Sequence, residues 1–585
     1  MHFSCTIKKH LCLLVVATVL MAGCKKESGG NTNNPTPPVP EPPVEIKPQV
    51  DPPLAKTIGF FLDDWAPKSF TTPAFNEGTV PTTAATTVTV DYSNVLTKVP
   101  RSISGANANL WMTQIVTESA LMNHLTQLKP NHIRFPGGSI SDVFFWNAPK
   151  GVPPADAPAQ LTKADGSKES NPYWFGKNAE NWTLSVDNYY QLLQQTGNQG
   201  IITINYGYAR YGTSTDPVAA AAHLAADWVR HDNGRTRYWE IGNENFGDWE
   251  AGYRIDRSLN KDGQPEYITG ELYAQHFNVF ADSMRKAAQE IGKTIYIGAV
   301  LFDSPAESWH SASVKTWNAG VFQKAGNKPD YYIVHSYFTP YNTQSNGAAI
   351  LASAPAETKR LMEFVKSSVQ AAGLAQKPVA LTEWNIFAVG QKQQVSHVNG
   401  MHGVMVVGEA LKNQYGLTAR WDLANGWGGT GDDHGMFNNG DEPDGIPKWN
   451  PRPSFFHLYF FQRFLGDRFL GATVSGSNNL AAYASGFTSG HAGVTVVNTA
   501  TTAQTATINL QNFKMGSRFY YYTLTGGDDN GEFSRKIFVN GQGPTGAAGG
   551  PATYASLKAF SAKTDGGVRI ALPPRSVVFV AIEGK

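Results

Sequence analysis

The chain is 585 residues long, 41% hydrophobic and 16% charged, which supports a sizeable core in more than one domain and excludes a chain dominated by disorder. Its formal net charge of +1, with no basic stripe, excludes a nucleic-acid footprint. All three cysteines, Cys5, Cys12 and Cys24, fall near the N-terminus, so the globular part offers no thiol for disulfides, nucleophilic catalysis or a thiolate metal site.

Residues 1–23 read as a lipoprotein signal peptide. Lys8 and Lys9 form its charged region, Leu11 to Leu20 an apolar run too short for a spanning helix, and Met21-Ala22-Gly23-Cys24 a bacterial lipobox with Met where Leu is commoner. Cys24 is the candidate lipidation site, which predicts a protein held by lipid alone on the outer membrane of a bacterial envelope, facing outward. Residues 24–55 become Asn, Gly and then Pro-rich, too poor in apolar side chains to fold. As polyproline II they form a tether of up to roughly 90 Å.

Residues 56–98 hold short β-like pieces, Ile58 to Leu62 and Thr87 to Asp91, without helical period. From 99 to 465 strands alternate with helices. The strands are predicted at Ile103 to Leu110, His132 to Phe135, Ile201 to Tyr206, Tyr238 to Ile241, Thr294 to Val300, Tyr331 to Phe338, Val379 to Thr382 and Ala419 to Leu423. Asp216-Pro217 opens a helix over Val218 to His231 that Asn233-Gly234 stops; Gly270 to Ile291 halts at Gly292 and Glu357 to Ala372 at Gly373. Eight strands in this alternation predict an α/β fold, a (β/α)8 TIM barrel. A doubly wound sheet is disfavoured, because no glycine-rich phosphate loop follows the first strand. Residues 466–585 lose helical period, and alternating runs such as Val494 to Asn498 and Ser576 to Ile582 predict an accessory antiparallel β-sandwich. The strands of 56–98 are too few for a core of their own and are expected to join it.

Two barrel strands run directly into glutamates: Tyr238-Trp239-Glu240-Ile241 into Gly242-Asn243-Glu244, and Val379 to Thr382 into Glu383-Trp384-Asn385. A carboxyl at a strand's C-terminal end is costly to bury without a partner, and that end of a barrel is where catalysis sits. Two such acids suit two-carboxylate sugar chemistry. Trp249, Trp384, Trp427 and Tyr206 are candidate sugar platforms, since a ring face offers an apolar surface to the C–H face of a sugar. The Gly137-Gly138 pair fits a close backbone approach to substrate. His434, after Asp432 and Asp433, reads as solvated surface, and no His/Asp/Glu set has metal-ligand spacing, so neither metal nor other cofactor is expected.

Arg134-Phe135-Pro136-Gly137-Gly138 after the second strand, Gly242-Asn243-Glu244 after the fourth, His335-Ser336-Tyr337 after the sixth and Glu383-Trp384-Asn385 after the seventh together resemble the retaining glycoside hydrolases of clan A. The resemblance is greatest to the α-L-arabinofuranosidases, which also carry Gly-x-Trp after the acid, here Gly247-Asp248-Trp249; the Arg134 run is similar to that of the heparanase and β-glucuronidase group. The resemblance implies Glu244 as general acid/base and Glu383 as nucleophile. It further implies Asn243 at the sugar 2-hydroxyl, His335 orienting one carboxylate, and Tyr337 and Arg134 as donors that keep Glu383 ionised while Glu244 is raised. A tethered surface enzyme with two long, aromatic-bearing loops, 147–181 and 426–450, suits a plant or algal cell-wall polysaccharide or oligosaccharide, cut either internally, as by an endo-glycanase, or by release of terminal arabinofuranose. Two rivals stand: a non-catalytic glycan-binding lipoprotein, which has no use for paired acids, and a uronic-acid lyase using His335 and Tyr337, which needs more cations than Arg134 and Arg210.

Overall fold

The computed structural model describes residue 47 and residues 65–341, 343–388, 392–428 and 434–585. Cys24, the tether apart from Lys47, and the Ile58 to Leu62 piece lie outside the described residues, as do Asp432 and Asp433.

Eight parallel strands close into a barrel in chain order: β1 (Gly105–Asn107), β2 (His132–Phe135), β3 (Gln199–Ile204), β4 (Thr236–Ile241), β5 (Tyr296–Val300), β6 (Tyr331–Tyr337), β7 (Val379–Asn385) and β8 (Leu417–Arg420). Their residues are almost wholly buried, as expected when a parallel strand packs helices on one side and barrel filling on the other. All eight predicted strands are present. The first is much shorter than its apolar run suggested, because Ala108 to Leu110 continue as loop.

The outer helices follow their capping signals. Pro217–Asp232 starts where the Asp216 carboxylate accepts from the Ala219 N–H at 2.9 Å and ends at left-handed Asn233. Gly347–Ala371 begins ten residues before its expected start and runs through Pro355. Burial of Ile350, Leu351 and Ala354 on that first stretch outweighs the backbone bond that proline forfeits.

The register between β6 and β7 slips next to the site. Val334 pairs with Leu381 but His335 pairs with Glu383, so Thr382 is an extra residue on β7. A bulge turns two successive side chains to one side of a strand, and here it brings Thr382 and Glu383 together beside His335.

Among the described residues, six short strands in the barrel's loops pair as three two-stranded sheets, and the other strands form one eleven-stranded sheet. Thr86–Lys98 joins it as expected, between Arg468–Ser475 (antiparallel) and Gln504–Gln511 (parallel). Phe75–Glu77 also pairs parallel, with Ala559–Lys563. The accessory domain is therefore a mixed sheet, which corrects the purely antiparallel expectation: strands arriving from the far end of the chain need not follow hairpin polarity. Helix Pro453–Phe464 carries barrel into sheet, with Phe460 against Tyr522 at 4.7 Å and Phe464 against Phe579 at 6.1 Å, inside one continuous apolar core.

Candidate active site

Arg134, the inward side chain near the end of β2, is fully buried and organises the barrel mouth. Its Nε donates to Glu240 at 2.6 Å, Nη1 to Asn107 at 3.0 Å and to Glu383 at 3.3 Å, and Nη2 to Asn243 at 2.8 Å. A guanidinium presents its donors in a rigid fork, so one residue fixes side chains from β1, β4, β7 and the loop after β4. Asn107 in turn donates to the backbone carbonyl of Thr382 at 3.0 Å, which ties β1 to the β7 bulge.

Glu383 accepts from the Tyr337 hydroxyl at 2.7 Å through Oε1, and from Arg134 through Oε2. Glu244 accepts from the Trp249 indole N–H at 3.1 Å through Oε2, and its Oε1 lies 2.9 Å from His335 Nδ1. The other ring nitrogen of His335 meets the Thr382 hydroxyl at 3.1 Å. Glu244 itself has φ 42°, a left-handed backbone disfavoured for any residue with a Cβ, and these contacts hold it there. Gly247 explains the Gly-x-Trp spacing: a Cβ there would stand 2.4 Å from the Trp249 ring, which folds back over the loop to reach Glu244.

One oxygen of each glutamate and a His335 nitrogen all lie within 4.8 Å of one another. The same trio is a possible cation cradle by proximity. However, all four carboxylate oxygens already meet an Arg, Tyr, Trp or His partner, which suits proton chemistry better than a metal.

The titration directions run opposite to expectation. Burial pushes Glu244 up, but the hydrogen bond and charge of His335, then Trp249 and Arg134, outweigh it and hold the carboxyl below its ordinary value. Glu383 is raised by burial and by the Glu244 charge, against His335, Arg134 and Tyr337. The reason is placement: His335 is bonded to Glu244 and stands 3.7 Å from Glu383. The two acids titrate as a pair.

A second tier of acids escaped the sequence reading. Glu240 anchors Arg134 and accepts from Thr203 at 3.1 Å. Asn243 is clamped on both sides: its N–H donates to Asp142 at 3.2 Å and its Nδ2 to Glu250 at 2.9 Å. Burial pushes Asp142 up to about 7 against four hydrogen bonds; burial, then the Asp142 and Glu244 charges, push Glu250 well above its ordinary value. Glu240 had a legible signal, a charge inside an apolar strand, as did Arg134. Asp142 lies in the short 3-10 helix Ser139–Val143 and Glu250 in a loop, neither with a period to mark it.

Among the candidate platforms, Trp249 is 60% exposed beside Glu244. Tyr206 and Trp384 are corrected: both rings are buried, Tyr206 with its hydroxyl 3.0 Å from His276 Nδ1, and neither has a face left for a sugar. Trp427 is half-buried, with the guanidinium groups of Arg535 and Arg452 at 5.1 and 5.9 Å from its ring. His434 is buried rather than solvated, 5.3 Å from the Tyr337 ring. Gly137 and Gly138 give close approach to Asn109 and the Trp421 ring, so the demand for glycine comes from protein neighbours. Arg210 donates to Gly252, Gln264, Pro265 and Glu266, a loop pin that leaves the lyase reading without its second cation.

A closed parallel barrel with acids at the C-terminal ends of β4 and β7 is a (β/α)8 fold with paired carboxylates at its mouth. Within it, residues 124–325 match the α-L-arabinofuranosidase 1 domain. A curated relative, described as an intracellular exo-α-(1→5)-L-arabinofuranosidase of Streptomyces lividans, is 23% identical over 280 residues, 45% of this chain but 36% of the relative, so the match spans about a third of that protein. The α-L-arabinofuranosidase of Thermotoga maritima is similar in structure with a TM-score of 0.57 at 17% identity, over 85% of this chain and 100% of its own. The family 51 α-L-arabinofuranosidase of Bifidobacterium longum gives 0.58 at 15%, over 86% and 100%. The chain thus resembles the α-L-arabinofuranosidases among clan A glycoside hydrolases.

Proposed function

We propose that this chain is a retaining α-L-arabinofuranosidase acting on plant or algal cell-wall glycan, with Glu244 as acid/base and Glu383 as nucleophile. The observation that carries it is the approach of the two carboxylates within 4.8 Å, close to the roughly 5 to 5.5 Å of retaining enzymes and well below the roughly 6.5 to 9.5 Å that leaves room for water in inverting ones. In the first step a Glu383 oxygen bonds to the anomeric carbon, the glycosidic C–O bond breaks, and the Glu244 proton passes to the leaving oxygen. Water then attacks the same carbon, gives its proton to Glu244, and Glu383 departs as carboxylate.

The titration directions of the resting pair run against this cycle, so Glu244 must gain a proton before it acts as acid. Part of what raises Glu383 is the negative charge of Glu244; protonating Glu244, as the acid role requires, removes that repulsion and leaves the Glu383 charge to Arg134 and Tyr337. His335 accommodates either state, since Nδ1 donates to an ionised Glu244 and accepts from a protonated one, with the Thr382 hydroxyl reversing its part. Asn243 has one amide hydrogen beyond its Glu250 bond, available to the sugar 2-hydroxyl.

Glu383→Ala is expected to lower hydrolysis of an aryl α-L-arabinofuranoside by several orders of magnitude and to regain turnover with azide. Glu244→Ala should damage substrates with poor leaving groups far more than activated aryl glycosides. Near-normal turnover in Glu383→Ala sinks the assignment. The lipobox-like run supports anchoring through Cys24 at the outer membrane; Cys24→Ala should release the protein from the membrane fraction, and unchanged association refutes the anchor.

A further inference from the structure

Two consecutive residues of the loop after β4 grip two consecutive residues of the site. Trp249 donates its indole N–H to Glu244 at 3.1 Å, and Glu250, next in the chain, accepts from the Asn243 side chain at 2.9 Å. The loop folds back on itself to do this: the Gly247 N–H donates to the Glu244 carbonyl at 2.7 Å and the Glu250 N–H to the Gly247 carbonyl at 3.2 Å. The Gly137-Gly138 turn feeds the same point, because Ser139 directly after it donates to Glu250 Oε1 at 2.8 Å.

These contacts leave the Asn243 amide one orientation. Its Oδ1 accepts from Arg134 at 2.8 Å while its Nδ2 donates to Glu250 Oε1, so a flipped amide would set oxygen against oxygen and N–H against N–H. Arg134 alone fixes the oxygen end and leaves the amide plane free to swing about that bond; Glu250 fixes the other end. It does so without a cation. Both of its bonds fall on Oε1 and come from neutral donors, Oε2 is buried with no hydrogen-bond partner among the described residues, and Asp142 and Glu244 supply negative charge nearby. A buried carboxyl in such surroundings is held as the neutral acid.

We propose that Glu250 is a positioning residue for the reaction, setting the Asn243 amide so that its remaining N–H meets the sugar 2-hydroxyl as the bond at the anomeric carbon breaks. This rests on the reading of Asn243 as the group at that hydroxyl. Glu250 itself touches no substrate and acts only through Asn243, with Ser139 holding it from the other side.

The test compares wild type, Glu250→Ala, Glu250→Gln and Ser139→Ala on an aryl α-L-arabinofuranoside and on its 2-deoxy counterpart. Glu250→Ala is expected to lower kcat on the parent sugar roughly 10- to 100-fold with little change in KM, and to leave kcat on the 2-deoxy sugar within about twofold, since no 2-hydroxyl remains to be met. Glu250→Gln keeps the accepting oxygen and the neutral state, and should return kcat to within about threefold of wild type. Ser139→Ala removes the second bond to the same oxygen and is expected to show the same selective loss on a smaller scale, which decides the matter if Glu250→Ala does not fold. Equal losses on both sugars, no loss on the parent sugar, or a Glu250→Gln enzyme as slow as Glu250→Ala overturns the proposal. A wild type inactive on the arabinofuranoside overturns the arabinofuranosidase reading and not the role of Glu250, which is then decided by the same criteria on an aryl glycoside of the sugar that is cleaved and its 2-deoxy counterpart.

Discussion

At the scale of single residues the site is a set of buried charges whose partners are fixed by one guanidinium. Removing any one partner would strand the others, which is why Asp142 and Glu250 matter although neither need touch substrate. Asp142 gives a pH signature with a definite sign. Its folded carboxyl is raised to about 7 by burial, so its stabilising contribution is full below the unfolded value of about 3.9 and is lost as pH rises toward 7. Neighbouring Glu250, raised in the same sense, adds to the slope. Asp142→Asn removes that titration, so the Tm gap between wild type and variant is expected to be more favourable to wild type at pH 5 than at pH 8, by up to a few kcal/mol in equivalent stability. A gap that is constant, or that grows with pH, contradicts the assigned environment.

At the scale of elements, the β7 bulge does what strand geometry alone would not, turning Thr382 and Glu383 to the same neighbour. Thr382→Val keeps shape and removes only the hydroxyl that meets His335 Nε2. Its expected cost is about 1 to 2 kcal/mol of stability, the range for an unsatisfied buried nitrogen. Turnover should fall roughly tenfold or more, because His335 loses the contact that orients it toward Glu244. Thermal melts with steady-state kinetics check both; full activity would mean that His335 is held by Glu244 alone. The bulge also marks the limit of sequence reading. The eight strands were legible because apolar runs ended at Gly, Pro and Asn signals, and Glu244 and Glu383 because each follows such a run directly. The extra residue at Thr382 leaves no trace in a run of apolar and small residues, and the burial of Tyr206, Trp384 and His434 depends on helices and loops distant in sequence. A parallel pairing of Thr86–Lys98 with Gln504–Gln511 was likewise unreadable, since it depends on a partner more than 400 positions away.

At the scale of the molecule, barrel and sheet share one apolar core through Phe455 to Phe464 and the strand that carries Phe579. Shared cores unfold together. Phe579→Ala is expected to cost about 3 to 5 kcal/mol and to lower a single calorimetric transition in which barrel and sheet melt as one. Two separated transitions would show that the sheet is an independent appendage. This core also supports the site, because Asn399 of helix His397–Lys412 donates to Asn385 at the end of β7 at 3.2 Å and that helix packs against Pro453–Phe464.

The account as a whole depends on two glutamates whose oxygens lie within 4.8 Å, nearer than the roughly 6.5 to 9.5 Å pair of an inverting enzyme. The most direct measurement is the anomeric configuration of the first-formed sugar, followed by proton NMR before mutarotation. Retention of configuration is predicted, because the carboxylate oxygens approach within 4.8 Å and the reaction passes through a bond to Glu383. Inversion would contradict it.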